Sequence, residues 1–309
     1  MGSLLDTRQI LNFVTLARTR SYTRTAKELN LTQSAISHAI RALETELGCQ
    51  LVTKAGHQLL LTEQGELLAQ EGEMILGQIE RLRNRLDELG TWGRGRLRIG
   101  ASTTACQYFL PLVLREFKQS YPDCQITVLP NDTRPNLEAL SQNRIDLAVV
   151  IEGRRMEDYQ LYPLFEDELC LVFSPHHPWA SRQRLSAADL KNETLLSYAP
   201  STVTGHLIER YFQSQGVQMQ ALIELGNMDA IKEMAKIGQG VGIVANWLAR
   251  ADSEAGTLVC RPLPVKRQHR SWALAVLRGK KLSLLEETFV GIAQEAGNSL
   301  TGKNRTLFE

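Results

Sequence analysis

The stretch SYTRTAKELNLTQSAISHAIRALETEL, from Ser21 to Leu47, most narrows what this chain can fold into. Apolar residues fall at Ala26, Leu29, Leu31, Ile36, Ile40, Leu43 and Leu47, and from Ile36 onward they recur with the spacing of one buried helix face. Leu29-Asn30-Leu31 interrupts the pattern, and Asn30 is a residue type that tolerates the left-handed conformation of a tight helix–helix turn. Thr32 then stands as the N-cap of a second helix. With Ile36, Ile40 and Leu43 facing inward, Gln33, Ser34, Ser37, His38 and Arg41 face outward. Their amide, hydroxyl, imidazole and guanidinium groups can bond base edges or phosphates. The pattern predicts a helix-turn-helix that docks on DNA. A solvated helix of an ordinary bundle has the same spacing, and the residues downstream separate the two readings.

Leu51 to Thr62 reads as a two-stranded ribbon around a turn at Gly56. Lys54 and His57 stand near its tip, placed to touch a phosphate or a minor groove as a wing beside a recognition helix. Thr62-Glu63-Gln64-Gly65 opens a helical run to Leu89, with apolar residues at Leu68, Ile75, Ile79, Leu82, Leu86 and Leu89 and Gly72 at the remaining position. This heptad seam suits pairing of two copies. Packing of the helix on its own domain has the same spacing, so both readings stand. Residues 1–62 hold seven Lys or Arg against four acids, whereas residues 63–90 hold three against seven. The positive excess therefore sits where DNA would lie. It is modest, so two heads acting together are expected to be needed for affinity, which would be salt-sensitive.

Gly90-Thr91-Trp92-Gly93-Arg94-Gly95 marks a boundary, beyond which strands and helices alternate. Strands are predicted at Leu97–Gly100, Gln125–Leu129, Ile145–Ile151, Glu168–Phe173, Leu195–Tyr198, Ala221–Leu225 and Trp272–Leu277. Helices are predicted at Tyr108–Ser120, Asn136–Gln142, Ser186–Leu190, Val203–Gln215 and Leu284–Ala296. Two rounds of the same alternation argue for two α/β lobes, with crossovers expected near Gln160–Phe165 and Val265–Ser271.

These residues carry a resemblance. The run AKELNLTQSAISHAIRALETELGCQLVTKAGHQLLLTEQGELL, preceded by an amphipathic helix from Arg8 to Ala17, resembles the head of a LysR-type transcriptional regulator. GRLRIGASTTACQYFLP and ELGNMDAIKEMAKIGQGVGIVAN extend the similarity over nearly the full length. The resemblance implies an α/β fold with an N-terminal winged helix-turn-helix and a two-lobed, periplasmic-binding-protein-like effector domain. The expected divisions are residues 1–62 for the DNA-binding domain, 63–90 for a dimerising linker helix and 91–309 for the effector domain. Lobe I would comprise about 93–163 and 268–300, and lobe II about 164–267. Implied partners are double-stranded promoter DNA, a small-molecule effector, further copies of the chain as homodimer or homotetramer, and RNA polymerase. Val52 and Lys54 stand where the family usually has Phe and Arg, and Ser34 where it often has Pro or a bulkier residue, so base preferences do not carry over.

Ligands of open α/β sheets bind beyond the carboxyl ends of strands, where helix N-termini offer free amides. The loops holding Ser102 and Thr103, Asn131, Ser201 and Thr202, and Asn227 meet that description. Their hydroxyls and amides suit a small polar or anionic metabolite. In similar regulators Ser102, Asn131, Ser201 and Thr202 correspond to pocket-lining positions. Helix capping alone would select the same residue types.

Other chemistries find less support. Cys49, Cys106, Cys124, Cys170 and Cys260 show no CxxC and no paired spacing, which fits reduced thiols better than disulfides or zinc. Relatives that sense oxidants use a close cysteine pair in the effector domain, and Ser201–Gly216 has none. Gly100 to Thr104 lacks the last glycine of a nucleophile elbow. Gly238-Gln239-Gly240-Val241-Gly242 follows a helix rather than a strand and reads as a C-cap. No catalytic residue, metal ligand or cofactor is assigned. A solute-binding module or an enzyme fused to a helix-turn-helix head is the competing class. No apolar run is long enough to span a bilayer and the start lacks a signal-peptide pattern, so a cytoplasmic location is expected.

Overall fold

Asp6 accepts a hydrogen bond from the Arg8 amide at 2.9 Å and so starts α1 (Thr7–Thr19). Ser21 caps α2 (Tyr22–Glu28), and Thr32 caps α3 (Gln33–Leu47). The intervening turn is made by Asn30 at φ 54°, the left-handed conformation expected of it. The hairpin β1 (Val52–Ala55) and β2 (Gln58–Leu61) follows, then α4 (Glu63–Gly90). The computed structural model describes residues 5–55, 58–90, 95–217 and 221–300. The chain divides into an N-terminal unit and a C-terminal α/β unit.

Phe13, Leu16, Ala26, Ile36, Ile40, Leu43 and Leu51 form the core of the N-terminal unit. Leu47, the last residue of α3, is exposed because the buried stripe has run out there, and Leu31, in the turn before that helix, is exposed as well. The first turns of α4 pack on α1. At Gly72 a Cβ would run into the side chains of Val14 and Ile10, so the close approach of the two helices needs this glycine. Farther along, Ile75, Ile79 and Leu82 are exposed. The seam is thus divided: Leu68 and Gly72 serve the chain's own domain, and the next three apolar positions do not.

The α/β unit begins with β3 (Arg96–Ala101) and a π-helical turn at Ala105–Phe109 leading into α5 (Leu110–Ser120). A single helix was expected from Tyr108. Pro111, in the first turn of α5, offers no amide to the preceding carbonyls, and the backbone widens there. Next come β4 (Gln125–Pro130), α6 (Thr133–Ser141), β5 (Leu147–Ile151) and β6 (Tyr159–Phe173). Then follow β7 (Thr194–Tyr198), α7 (Val203–Ser214), β8 (Ala221–Leu225), α8 (Met228–Lys236), β9 (Val241–Ala245) and α9 (Asn246–Glu254). The last elements are β10 (Val259–Pro262), β11 (Gln268–Leu277) and α10 (Leu284–Leu300). The helix expected at Ser186–Leu190 is instead a short 3-10 turn at Asp189–Asn192. Asp189 accepts hydrogen bonds from the amide and hydroxyl of Ser186, a local arrangement that competes with helix.

One mixed sheet runs β4-β3-β5-β11-β6-β9-β7-β8, with β10 against the other end of β6. The crossovers expected at Gln160–Phe165 and Val265–Ser271 lie largely within strands. β6 and β11 pair antiparallel from Tyr159↔Leu277 to Leu169↔Gln268, so paired strands carry the chain between lobes. A bulge between Trp272 and Ala273 accommodates Pro163, which has no amide for the ladder. Lobe I has a core of Leu97, Ile99, Phe109, Val113, Phe117, Val149 and Phe289. Lobe II has its own, including Leu171, Phe173, Leu196, Ile208, Ile231 and Ile243.

Candidate DNA-facing helix and ligand cleft

In α3 the Thr32 hydroxyl accepts the Ala35 amide at 3.2 Å and shares a 3.0 Å hydrogen bond with Ser34. Gln33, Ser34, His38 and Arg41 are exposed and Ser37 is half-buried, so the structure brings all five to one outer face. The first turn carries no acid, leaving its free amides and dipole open to a phosphate. Glu44 accepts the amides of Leu51 and Val52 at 2.8 and 3.2 Å, tying the end of α3 to the first wing strand. Sequence reasoning passed over Glu44, whose partners lie outside its own helix. Lys54 belongs to β1, and His57 lies outside the described residues.

The α/β unit holds a cleft of about 270 Å³ at the carboxyl ends of the strands. Lobe I contributes Ser102, Thr103, Thr104, Pro130, Asn131, Asp132 and Ile151; lobe II contributes Tyr198, Thr202, Thr204, Gly226, Asn227 and Met228. Arg270 and Trp272, on β11, close the base. Five of the six expected residues therefore meet there: Ser102, Thr103, Asn131, Thr202 and Asn227. Ser201 does not line the cleft and is exposed at the turn before α7.

Capping orders this wall. Thr202 donates to the Ala199 carbonyl at 2.8 Å and accepts the Gly205 amide at 2.9 Å, which commits its proton. Gly205 is required at that turn, since a Cβ there would strike the Ala199 carbonyl. Asn227 accepts the Ala230 amide at 2.9 Å through Oδ1, leaving its NH2 group as a donor. Ser102 accepts the Ala105 amide at 3.3 Å, leaving its proton. The Asn131 loop is fixed by buried Asn136, which donates to the Asn131 carbonyl at 2.6 Å.

Tyr198, Arg270 and Trp272 were not anticipated, whereas Thr204 belongs to the loop expected before α7. Arg270 is fully buried and forms an ion pair with Asp167, donating through Nε at 2.8 Å and through Nη2, and its Nη1 reaches Thr204 at 2.8 Å. Asp167 also accepts the indole N–H groups of Trp272 and Trp247 at 2.9 and 3.0 Å. The cation is thereby neutralised where β6 meets β11. Tyr198 differs: its buried hydroxyl has no hydrogen-bond partner among the described residues, and burial pushes its pKa above the ordinary value. Two acids link the lobes. Asp132 of lobe I accepts the amide of Val203 at the start of α7 at 3.0 Å, and Tyr108 donates to Asp229 of α8. Burial and then the Asp229 carboxylate raise the Tyr108 pKa.

These features define a two-lobed ligand-binding module on the same chain as a winged helix-turn-helix head. Residues 93–298 match the family described as "LysR substrate binding domain", and residues 7–66 match "Bacterial regulatory helix-turn-helix protein, lysR family". The chain belongs to the LysR family and is a ligand-responsive, DNA-binding transcriptional regulator of that type. It is 30% identical to the HTH-type transcriptional regulator CfxR of Cupriavidus necator, over 97% of each chain. It is 28% identical to the RuBisCO operon transcriptional regulator of Allochromatium vinosum, over 89% of this chain and 91% of the relative. The fold is similar to that of ArgP from Mycobacterium tuberculosis, with a TM-score of 0.72 at 18% identity, covering 95% of this chain and 98% of the other. No helix among the described residues is long and apolar enough to cross a membrane.

Proposed function

We propose that this regulator holds a small polar or anionic metabolite in the cleft between its lobes and, as a homodimer or homotetramer, reads promoter half-sites with α3. The unpartnered Tyr198 hydroxyl carries the ligand reading. A buried donor without an acceptor is costly, and a ligand oxygen in the cleft would satisfy it. Ser102 and Asn227 supply further donors on the opposite and adjoining walls. With Arg270 neutralised by Asp167, recognition falls to neutral donors and helix amides. Thr103 and Asn131 shape the lobe I wall and Thr202 that of lobe II, and Ser201 stands just outside the cleft.

On the DNA side, Gln33, Ser34, Ser37 and His38 read bases in the major groove, Arg41 or Lys54 meets the phosphate backbone, and the wing that carries Lys54 and His57 serves a phosphate or a minor groove. Two heads would read half-sites about one helical turn, or a multiple of it, apart. Ile75, Ile79 and Leu82, exposed on the chain alone, form the seam that pairs two copies of α4. The protein acts in the cytoplasm, where promoter DNA and RNA polymerase are its partners, and the cleft carries out no catalysis. Ligand bound between the lobes favours one lobe arrangement and with it one spacing of heads.

Recovery of crosslinked DNA from the native host tests the reading. Enrichment at a few sites sharing an interrupted palindrome is expected. Absence of enrichment with the folded protein present would sink it and favour a solute-binding or enzymatic role.

A further inference from the structure

Cys170 and Cys260 are ninety positions apart in sequence, yet their sulfurs stand 2.7 Å apart. β6 and β10 pair antiparallel with Cys260 opposite Val172 and Pro262 opposite Cys170. Since side chains alternate faces along a strand, the two thiols share one face as diagonal neighbours. Their separation exceeds a disulfide bond, about 2.0 Å, by well under an ångström. The environments of the two differ. Cys170 is buried in the lobe II core, whereas Cys260 is half-buried and lines an open groove of about 1250 Å³ beside α9 and the end of α10.

We propose that Cys170 and Cys260 form a dithiol–disulfide couple oxidised by hydroperoxides, with Cys260 as the attacking thiol and Cys170 as the resolving one. The groove admits a small peroxide to Cys260, and the core shields Cys170 from it. The acid–base balance runs the same way. Hydrogen bonding to Cys260 and then burial push the Cys170 thiol up, while the hydrogen bond shared with Cys170, opposed by burial and helped by Arg261, holds Cys260 below its ordinary value. The thiolate is the nucleophilic form.

In the first step the Cys260 thiolate attacks the terminal oxygen of the hydroperoxide. The O–O bond breaks, the alcohol or water departs after taking up a proton, and Cys260 becomes a sulfenic acid. The Cys170 sulfur then attacks the Cys260 sulfur, the S–O bond breaks, and hydroxide leaves with the Cys170 proton as water. The two thiols lose two electrons in total, and the peroxide gains them. The bridge pins β10 to the strand that carries Asp167 at the junction of the lobes, so oxidation acts on the element that spans both.

The test is full-length reduced protein exposed to hydrogen peroxide, then alkylated and mapped by peptide mass. The expected result is loss of two titratable thiols, a Cys170–Cys260 linked peptide reversed by dithiothreitol, and Cys49 and Cys106 still alkylated. Cys170→Ser should stop at a sulfenic acid on Cys260 that a dimedone probe captures. The wild-type mapping stands alone should that variant fail to fold. Full alkylation of Cys170 and Cys260 after peroxide that has already oxidised Cys49 or Cys106 would overturn the proposal, as would a bridge formed only in denaturant.

Discussion

Tyr198→Phe should raise the stability of the ligand-free protein and weaken its response to ligand, two effects of opposite sign from one oxygen. The hydroxyl is buried without a partner among the described residues. An unsatisfied buried donor costs about 1–3 kcal/mol, and removing it returns that amount less the dispersion attraction forfeited around the small void. A net gain of about 1 kcal/mol is expected, or a rise of about 2–4 °C in the midpoint of a domain of this size. In the complex, the same deletion removes one hydrogen bond to the ligand. A neutral acceptor there is worth about 0.5–1.5 kcal/mol and a charged one about 1.5–3 kcal/mol. The loss of affinity is then about 2- to 10-fold for a neutral ligand oxygen and about 10- to 100-fold for an anionic one. Thermal unfolding of the full chain with and without host metabolite fractions reads both effects. A midpoint that falls in the ligand-free variant would refute the reasoning, because the hydroxyl would then be contributing a bond.

Four further substitutions probe other parts of the account. Ser37→Ala should weaken binding to the specific operator more than to unrelated DNA, and equal losses in a gel-shift titration would remove Ser37 from base reading. Arg270→Met leaves the Asp167 carboxylate buried without its counter-charge, held only by the two indole N–H groups, and should cost about 3–5 kcal/mol in denaturant unfolding, much of it recovered in an Asp167→Leu/Arg270→Met double variant. Full-length Ile79→Glu should sediment as a monomer; an unchanged oligomer would move the interface elsewhere. Asp252 bonds Lys236 and Lys232 at 2.6 and 2.9 Å, and although burial opposes its charge, those bonds hold its pKa below 3.8. Its folded pKa is depressed, so its contribution is present above pH 3.8 and lost as pH falls through the folded value. Asp252→Asn should therefore flatten the acid limb of stability measured by unfolding from pH 5 downward, an expectation that an unchanged limb would contradict.

Much of the head was legible because its information is local. Asn30, Thr32 and the Ile36–Ile40–Leu43 stripe state a turn, a cap and a buried face within fourteen residues, and the structure has all three. The cleft residues Ser102, Thr202 and Asn227 were legible for the same reason, as helix caps after strands. Non-local relations were not. Glu44 bonds backbone amides seven and eight positions away, and Arg270 finds Asp167 across two paired strands. Tyr198 shows as one more apolar residue of a buried strand, and only the folded wall reveals that it lines the cleft with a buried, unpartnered hydroxyl. The crossovers run along paired strands rather than loops, because β6 and β11 keep pairing while they pass between lobes, so no break in hydrophobic pattern marks the passage. Cysteine spacing likewise said nothing of Cys170 and Cys260, which strand register brings together.

The coupling of cleft to DNA is the central claim, and a footprint on a recovered operator tests it most directly. Wild-type protein and a Ser102→Ala/Tyr198→Phe double variant would be footprinted with and without host metabolite extract. The account predicts that extract shifts the protected region of the wild type, while the variant keeps its ligand-free footprint in both conditions. An identical shift in wild type and variant would contradict the assignment of the cleft as the sensing site.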